Sequence, residues 1–246
     1  MAYIFGPVRS RRLGLSLGID LLPYKTCNLD CGYCECGATT HKTSSRKIWT
    51  PTETIIAEVV SWMNAHPEAL RGQTLTCTLA GAGEPTLHSE FGLLGYRLKE
   101  LYPAIRLALI TNGLLFTDAP VRRDACIFDL VLPSLDAATQ ETFEKINKPE
   151  EGYAIEDIIA GLAAFRQEYT GTLWLEIFIV PGVNDQEREL ALLREAVLRI
   201  MPDRVQLNSL DRSGADSTIP RASVNDLERV RQILALDNTE IISRAH

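Results

Sequence analysis

The sequence predicts an α/β fold, a partial (βα)6 TIM-like barrel, and three observations carry that prediction. Short apolar runs of strand length alternate with longer runs of helical period, six times in order. Such alternation specifies parallel strands with helices packed outside them. Glycines and polar side chains gather just after each strand-like run, where barrels and doubly wound sheets both bind ligands. Six units fall short of the eight that close a full barrel. An open, three-quarter barrel follows, with a doubly wound sheet as the alternative.

The elements are read from apolar period and punctuation. Leu17–Leu22 is the first strand and runs into a cysteine-rich loop. Thr52–Asn64 is a helix, with Pro51 near its start, where a missing N–H costs little. Leu75–Ala80 is the second strand and Glu90–Leu101 its helix. Ile105–Ile110 is the third strand, leading to Thr111-Asn112-Gly113 and a short helix at Ala119–Ala125. Ile127–Leu132 is the fourth, followed by helices at Ala138–Ile146 and Ile155–Tyr169. Thr172–Val180 is the fifth, with Gln186–Ile200 its helix. Arg204–Ser209 is the sixth, Val224–Leu236 the last helix, and Glu240–Ser243 a short edge strand. The 246 residues read as one domain: an N-terminal extension (1–16), the core (17–236) and a C-terminal tail (237–246).

Composition narrows the class. Hydrophobic residues make up 46% and charged residues 23%, ordinary for a globular chain. No apolar run approaches the ~18 residues that cross a bilayer. The first residues lack the basic head and apolar core of a secretory signal, so the expected compartment is the cytoplasm. Net charge is −7, from 25 basic and 32 acidic residues. Nucleic-acid binding usually needs a basic excess, so this balance disfavours a large nucleic-acid footprint. The small clusters Arg9, Arg11, Arg12 and Lys42, Arg46, Lys47 read as solvated surface charge.

Four of the six cysteines, Cys27, Cys31, Cys34 and Cys36, fall within ten residues. Such clustering points to metal rather than to a disulfide framework. Cys27-x3-Cys31-x2-Cys34 puts three thiolates on one loop. Iron–sulfur clusters are held by thiolates, usually four. Three ligands leave one iron open to bind substrate atoms. A structural zinc site using Cys36 as fourth ligand is the competing reading. Zinc favours two separated Cys-x2-Cys pairs, and one residue between Cys34 and Cys36 strains tetrahedral closure. Cys77 and Cys126 read as core residues. His41, His66, His88 and His246 share no ligand spacing and read as surface residues.

With Tyr33 before its last cysteine, Cys27-x3-Cys31-x-Tyr33-Cys34 resembles the signature of the radical S-adenosylmethionine (SAM) superfamily. More narrowly, the chain resembles the wyosine-forming and related uncharacterised Fe–S oxidoreductase branch. The matching segments run from Phe5 to Gly14, from Gly83 to Leu87, from Ile146 to Pro149 and from Gln206 to Arg212. The resemblance implies a 4Fe–4S cluster on Cys27, Cys31 and Cys34, with the open iron taking the amino and carboxylate groups of SAM. It places Tyr33 near the adenine. It matches Ala82-Gly83-Glu84-Pro85 to a Gly-Gly-Glu-Pro segment that meets the SAM ammonium, Ala82 departing from the first glycine. It sets Asn112 at a ribose contact, Ser134 and Asp136 at further SAM contacts, and Val180-Pro181-Gly182 as an apolar shelf. It also implies a flavodoxin or ferredoxin as electron donor, and a 5′-deoxyadenosyl radical that abstracts hydrogen from substrate.

Residue chemistry agrees with these positions. Glycine admits close backbone approach, Glu84 offers a charge complementary to an ammonium, and Asn and Ser suit sugar hydroxyls. Toward the substrate, strand alternation puts Trp174, Glu176 and Phe178 on one face, with Glu176 a lumen candidate. Asp20 and Asn208 are similar mid-strand candidates. Arg212 is a partner for an anionic substrate group, and Cys36 a redox candidate beside the cluster loop. The substrate class expected is a small molecule or peptide. The alternatives are a tRNA base, a glycyl-radical enzyme to be activated, or no catalysis and a zinc-binding interaction module.

Overall fold

The computed structural model describes residues 2–70 and 75–242. Ten strands and seven α-helices are assigned among them. They are β1 (Ile4–Ser10), β2 (Gly14–Ile19), β3 (Thr26–Cys27), β4 (His41–Lys42), α1 (Thr52–Ala65), β5 (Thr76–Leu79), α2 (Phe91–Leu101), β6 (Arg106–Thr111), α3 (Ala119–Ala125), β7 (Leu130–Pro133), α4 (Gln140–Asn147), α5 (Ile155–Glu168), β8 (Thr172–Phe178), α6 (Glu187–Ile200), β9 (Arg204–Asn208), α7 (Val224–Leu234) and β10 (Thr239–Ile241). One eight-stranded sheet runs β1-β2-β5-β6-β7-β8-β9-β10, and β3-β4 form a separate pair. From β2 to β10 every pairing is parallel; β1 alone is antiparallel, against β2. The sheet is an α/β partial barrel of the predicted kind.

Two faces of the strands divide the interior. Leu17, Ile19, Cys77, Leu79, Leu107, Leu109, Val131, Leu173, Leu175, Ile177, Val205 and Leu207 join the helices in one large core. Each such aliphatic side chain contributes roughly 1.5–3 kcal/mol on full burial. The alternate residues face the lumen. Ala108, Leu130, Ile110 and Trp174 form its floor with Leu13. Higher up, Phe178, Val180, Ile146 and Leu210 pack around Tyr33. Between these layers the lumen is polar: Ser16 Oγ and Thr78 Oγ1 lie 2.8 Å apart across β2 and β5.

The predicted extension at 1–16 is a structured hairpin arm. β1 lacks a period-two pattern because five of its seven residues are exposed. It tolerates Pro7 because it is an edge strand with a register shift between Phe5 and Val8. The β1–β2 turn folds into the lumen. Thr76 Oγ1 donates to Leu13 O at 3.1 Å, Arg12 pairs with Glu176 on β8, and Arg11 pairs with Asp211 beyond β9. The first strand ends at Ile19, and 20–22 already belong to the loop. The fourth begins at Leu130, three residues late. The short edge strand is β10; Ser243 lies outside the described residues, as does His246. Among the described residues no helix is long and apolar enough to cross a membrane.

Candidate active site

The cysteine loop leaves β2 and is held from three sides. Its start pairs with β4, Thr26 opposite His41 and Cys27 opposite Lys42. The β5–α2 segment presses on the same strand: Glu84 N donates to Thr26 O at 3.0 Å. A Cβ on Gly83 would stand 2.4 Å from Thr26 O, so only glycine allows this approach. On the far side the segment after β9 straps the loop. Asp211 N and Arg212 N donate to Glu35 Oε1 at 2.7 and 3.1 Å, and Asp216 N donates to Gly32 O at 2.8 Å. These donors hold the Glu35 carboxyl below its usual range against the opposing effect of burial.

Each expected ligand sulfur meets a nitrogen donor. Cys27 Sγ accepts from Leu29 N at 3.4 Å and from Asn112 Nδ2 at 3.7 Å. Cys31 Sγ accepts from Asn147 Nδ2 at 3.5 Å, and Cys34 Sγ from Lys25 Nζ at 3.1 Å. Without metal, burial pushes the Cys27 thiol up to about 12 and raises Cys31 further. Cys34 is held low, chiefly by a hydrogen bond from the Cys36 thiol and then by Lys25, while Cys36 is raised. Metal binding must therefore displace protons at Cys27 and Cys31.

Four of the residues expected around SAM converge. Tyr33, Asn112, Ser134 and Asp136 line one small cavity of about 20 Å³ under the loop. Val180 packs in the apolar cluster that holds Phe178 and Tyr33. Pro181 lies just past β8, half-buried. At three of these positions the side chain is engaged by the protein itself. The Glu84 carboxylate accepts from Thr86 N (3.0 Å), Thr86 Oγ1 (2.6 Å), Thr111 Oγ1 (2.6 Å) and Asn112 N (2.7 Å). Burial raises its pKa despite these donors. The Asn112 amide is engaged at both ends, donating to Asn28 Oδ1 at 2.7 Å and accepting from Leu114 N at 3.1 Å. Asp136 accepts from Tyr33 Oη, Asn147 Nδ2 and Phe178 N, and burial pushes it up to about 6. These three fix the loops that surround the cavity.

The substrate candidates are also engaged. Glu176 does lie on the lumen face, bound by Arg12 and by Asn208 Nδ2 at 3.2 Å. Arg212 pairs with Glu35 at 3.1 Å while staying largely exposed. Cys36 is exposed beside Cys34. Asp20 accepts from Ala82 N at 3.1 Å and Leu22 N at 3.3 Å. Two sequence expectations fail outside the site. Cys126 is exposed rather than core, because α3 ends at the surface there. His88 is fully buried rather than on the surface, with Nε2 donating to Thr50 O at 2.8 Å and Nδ1 accepting from Glu90 N at 3.2 Å. Lys25, Asn28, Glu35 and Asn147 carry no expectation from the sequence; Asn28, Glu35 and Asn147 make contacts far along the chain, and Lys25 reaches Cys34 on its own loop. For Asn147 a hint existed in the Ile146–Pro149 segment.

A model of the radical SAM superfamily matches residues 21–193. The chain belongs to the radical SAM superfamily. It is 35% identical over 230 residues to "GTPase Obg" from Brachyspira hyodysenteriae, which covers 93% of this chain and 33% of that protein. It is 32% identical over 245 residues to a UPF0026 protein from Methanocaldococcus jannaschii, covering 99% and 73%. This radical SAM chain thus spans only a third of the Brachyspira protein. Among solved structures it is similar to a radical SAM methyltransferase from Sphaerobacter thermophilus, with TM-score 0.69 and 21% identity over 92% of this chain and 65% of that one. That likeness is one of fold. Radical SAM proteins use a 4Fe–4S cluster and SAM.

The donor set fits that pair. N–H groups aimed at sulfur favour the thiolate that iron requires. The Asn28 amide nitrogen beside Cys27 is buried without a partner among the described residues, a donor that a bound group would satisfy. No three Cys, His, Asp or Glu side chains among the described residues are gathered closely enough to hold a metal ion.

Proposed function

We propose that this chain is a radical SAM enzyme that cleaves SAM reductively and takes a hydrogen atom from a small molecule or peptide held in the barrel lumen. When bound, the cluster and SAM supply the electron transfer and sulfonium cleavage that yield a 5′-deoxyadenosyl radical. The chain's residues do the rest. Cys27, Cys31 and Cys34 hold iron, and their N–H donors stabilise the thiolates. Tyr33, Asn112, Ser134 and Asp136 bound the space for the nucleoside, with the Gly83 backbone, Val180 and Pro181 at its margins. Glu176, oriented by Arg12 and Asn208, is the polar group offered to substrate from the lumen wall. The electron comes from a low-potential carrier of the flavodoxin or ferredoxin class. A reducing compartment such as the cytoplasm suits the free thiols. The single observation that carries this reading is a trio of sulfurs, each met by an N–H donor, beside a cavity at the parallel strands' carboxyl ends.

The test is anaerobic reconstitution with iron and sulfide, reduction by dithionite and addition of SAM. Wild-type protein forms 5′-deoxyadenosine, and Cys31→Ala forms none. A wild type that carries an intact cluster and yields no 5′-deoxyadenosine contradicts the reading.

A further inference from the structure

Lys25 stands two residues before Cys27 and is buried. Its backbone is left-handed, φ 55°, a conformation uncommon for a residue with a Cβ. The β3–β4 pair holds it there: Lys25 O accepts from Thr40 N at 3.2 Å and from His41 N at 3.0 Å. Nζ then lies 3.1 Å from Cys34 Sγ. Among the described residues no carboxylate pairs with this ammonium. Burying a cation without an anion is costly, and the anion within reach is sulfur. The other two sulfurs receive neutral donors only, from Leu29, Asn112 and Asn147. The loop therefore sets one full positive charge at one corner of the cysteine trio.

We infer that Lys25 is a positioning residue that acts through Cys34 to raise the reduction potential of the resident 4Fe–4S cluster. The inference rests on the cluster assignment proposed above. Reduction adds one electron, delivered by a carrier of the flavodoxin or ferredoxin class, and so adds one negative charge at the site. A fixed cation beside a ligand sulfur favours the reduced form, and a hydrogen bond to that sulfur acts in the same direction. Lys25 thereby brings the cluster closer to the range of its donor.

The experiment is a potentiometric titration of the reconstituted full chain without SAM, with the reduced cluster read by electron paramagnetic resonance. Wild type, Lys25→Met, Lys25→Gln and Lys25→Arg are compared, after iron and sulfide analysis of each. At the poise that half-reduces wild type, Lys25→Met shows at least a tenfold lower reduced-to-oxidised ratio, equivalent to about 59 mV for one electron. Lys25→Gln shows a smaller fall, and Lys25→Arg stays nearest wild type. A Lys25→Met protein with full cluster and an unchanged ratio overturns the inference. So does loss of the cluster from both neutral variants, because Lys25 would then be needed to retain iron. A wild type that takes no cluster fails at the earlier step and overturns the functional reading as well.

Discussion

At Asp136, folding puts a carboxyl where water does not reach and surrounds it with three donors from Tyr33, Asn147 and Phe178. Burial outweighs the donors, and the group titrates near 6 instead of 3.8. Because the folded-state value is raised, folding takes up a proton between about pH 4 and pH 6. Stability contributed by this site is therefore highest at low pH, falls across that window and is flat above it. Two units at about 1.4 kcal/mol each give a change of about 3 kcal/mol. Urea denaturation of wild type against Asp136→Asn should show the wild type losing about 2 kcal/mol of this relative stability from pH 4 to pH 6.5. A difference that is constant with pH contradicts the buried-acid account. Other residues at this scale follow the same division of legibility. The cysteine trio is legible because its spacing is local. Asn147, 116 positions from the Cys31 it touches, and Arg12, 164 positions from Glu176, are not, because their partners are set by the sheet order.

Among the elements, six of the seven parallel strands, β2 and β5 to β9, are legible from sequence because each carries a buried apolar run between turn residues. β1 is not, since Gly6-Pro7 interrupts it and its exposed side chains show no period. The strap after β9 is also invisible to periodicity, although Gly214 betrays it afterwards: a Cβ there would stand 2.8 Å from Gly32 O. The β5–α2 segment is held more tightly still. Gly83→Ala would place a methyl against Thr26 O, the backbone that leads into Cys27. Forcing these strands apart costs about 1–3 kcal/mol. Thermal denaturation of the metal-free chain should show a lowered midpoint for Gly83→Ala, and the reconstituted protein should retain less iron. An unchanged midpoint with full iron would mean that the two segments are not in contact.

The whole molecule is an open barrel whose gap is bridged by an arm. The β1–β2 turn fills the floor with Leu13 and sends Arg12 and Arg11 to β8 and to the loop after β9. Closure there comes from side chains rather than from a ladder between β1 and β10, which stand at opposite edges of the sheet. The floor is thus sealed at one end while the cysteine loop and its strap cover the other. Under the proposed reading the chemistry lies between these ends, and the state of the cysteine loop is decisive for it. Iron and sulfide analysis of anaerobically reconstituted Cys36→Ala, beside Cys34→Ala, tests it most directly. The account predicts a full 4Fe–4S complement in Cys36→Ala and its loss from Cys34→Ala. Zinc bound through all four thiols in the wild type, and lost when Cys36 is replaced, would contradict it.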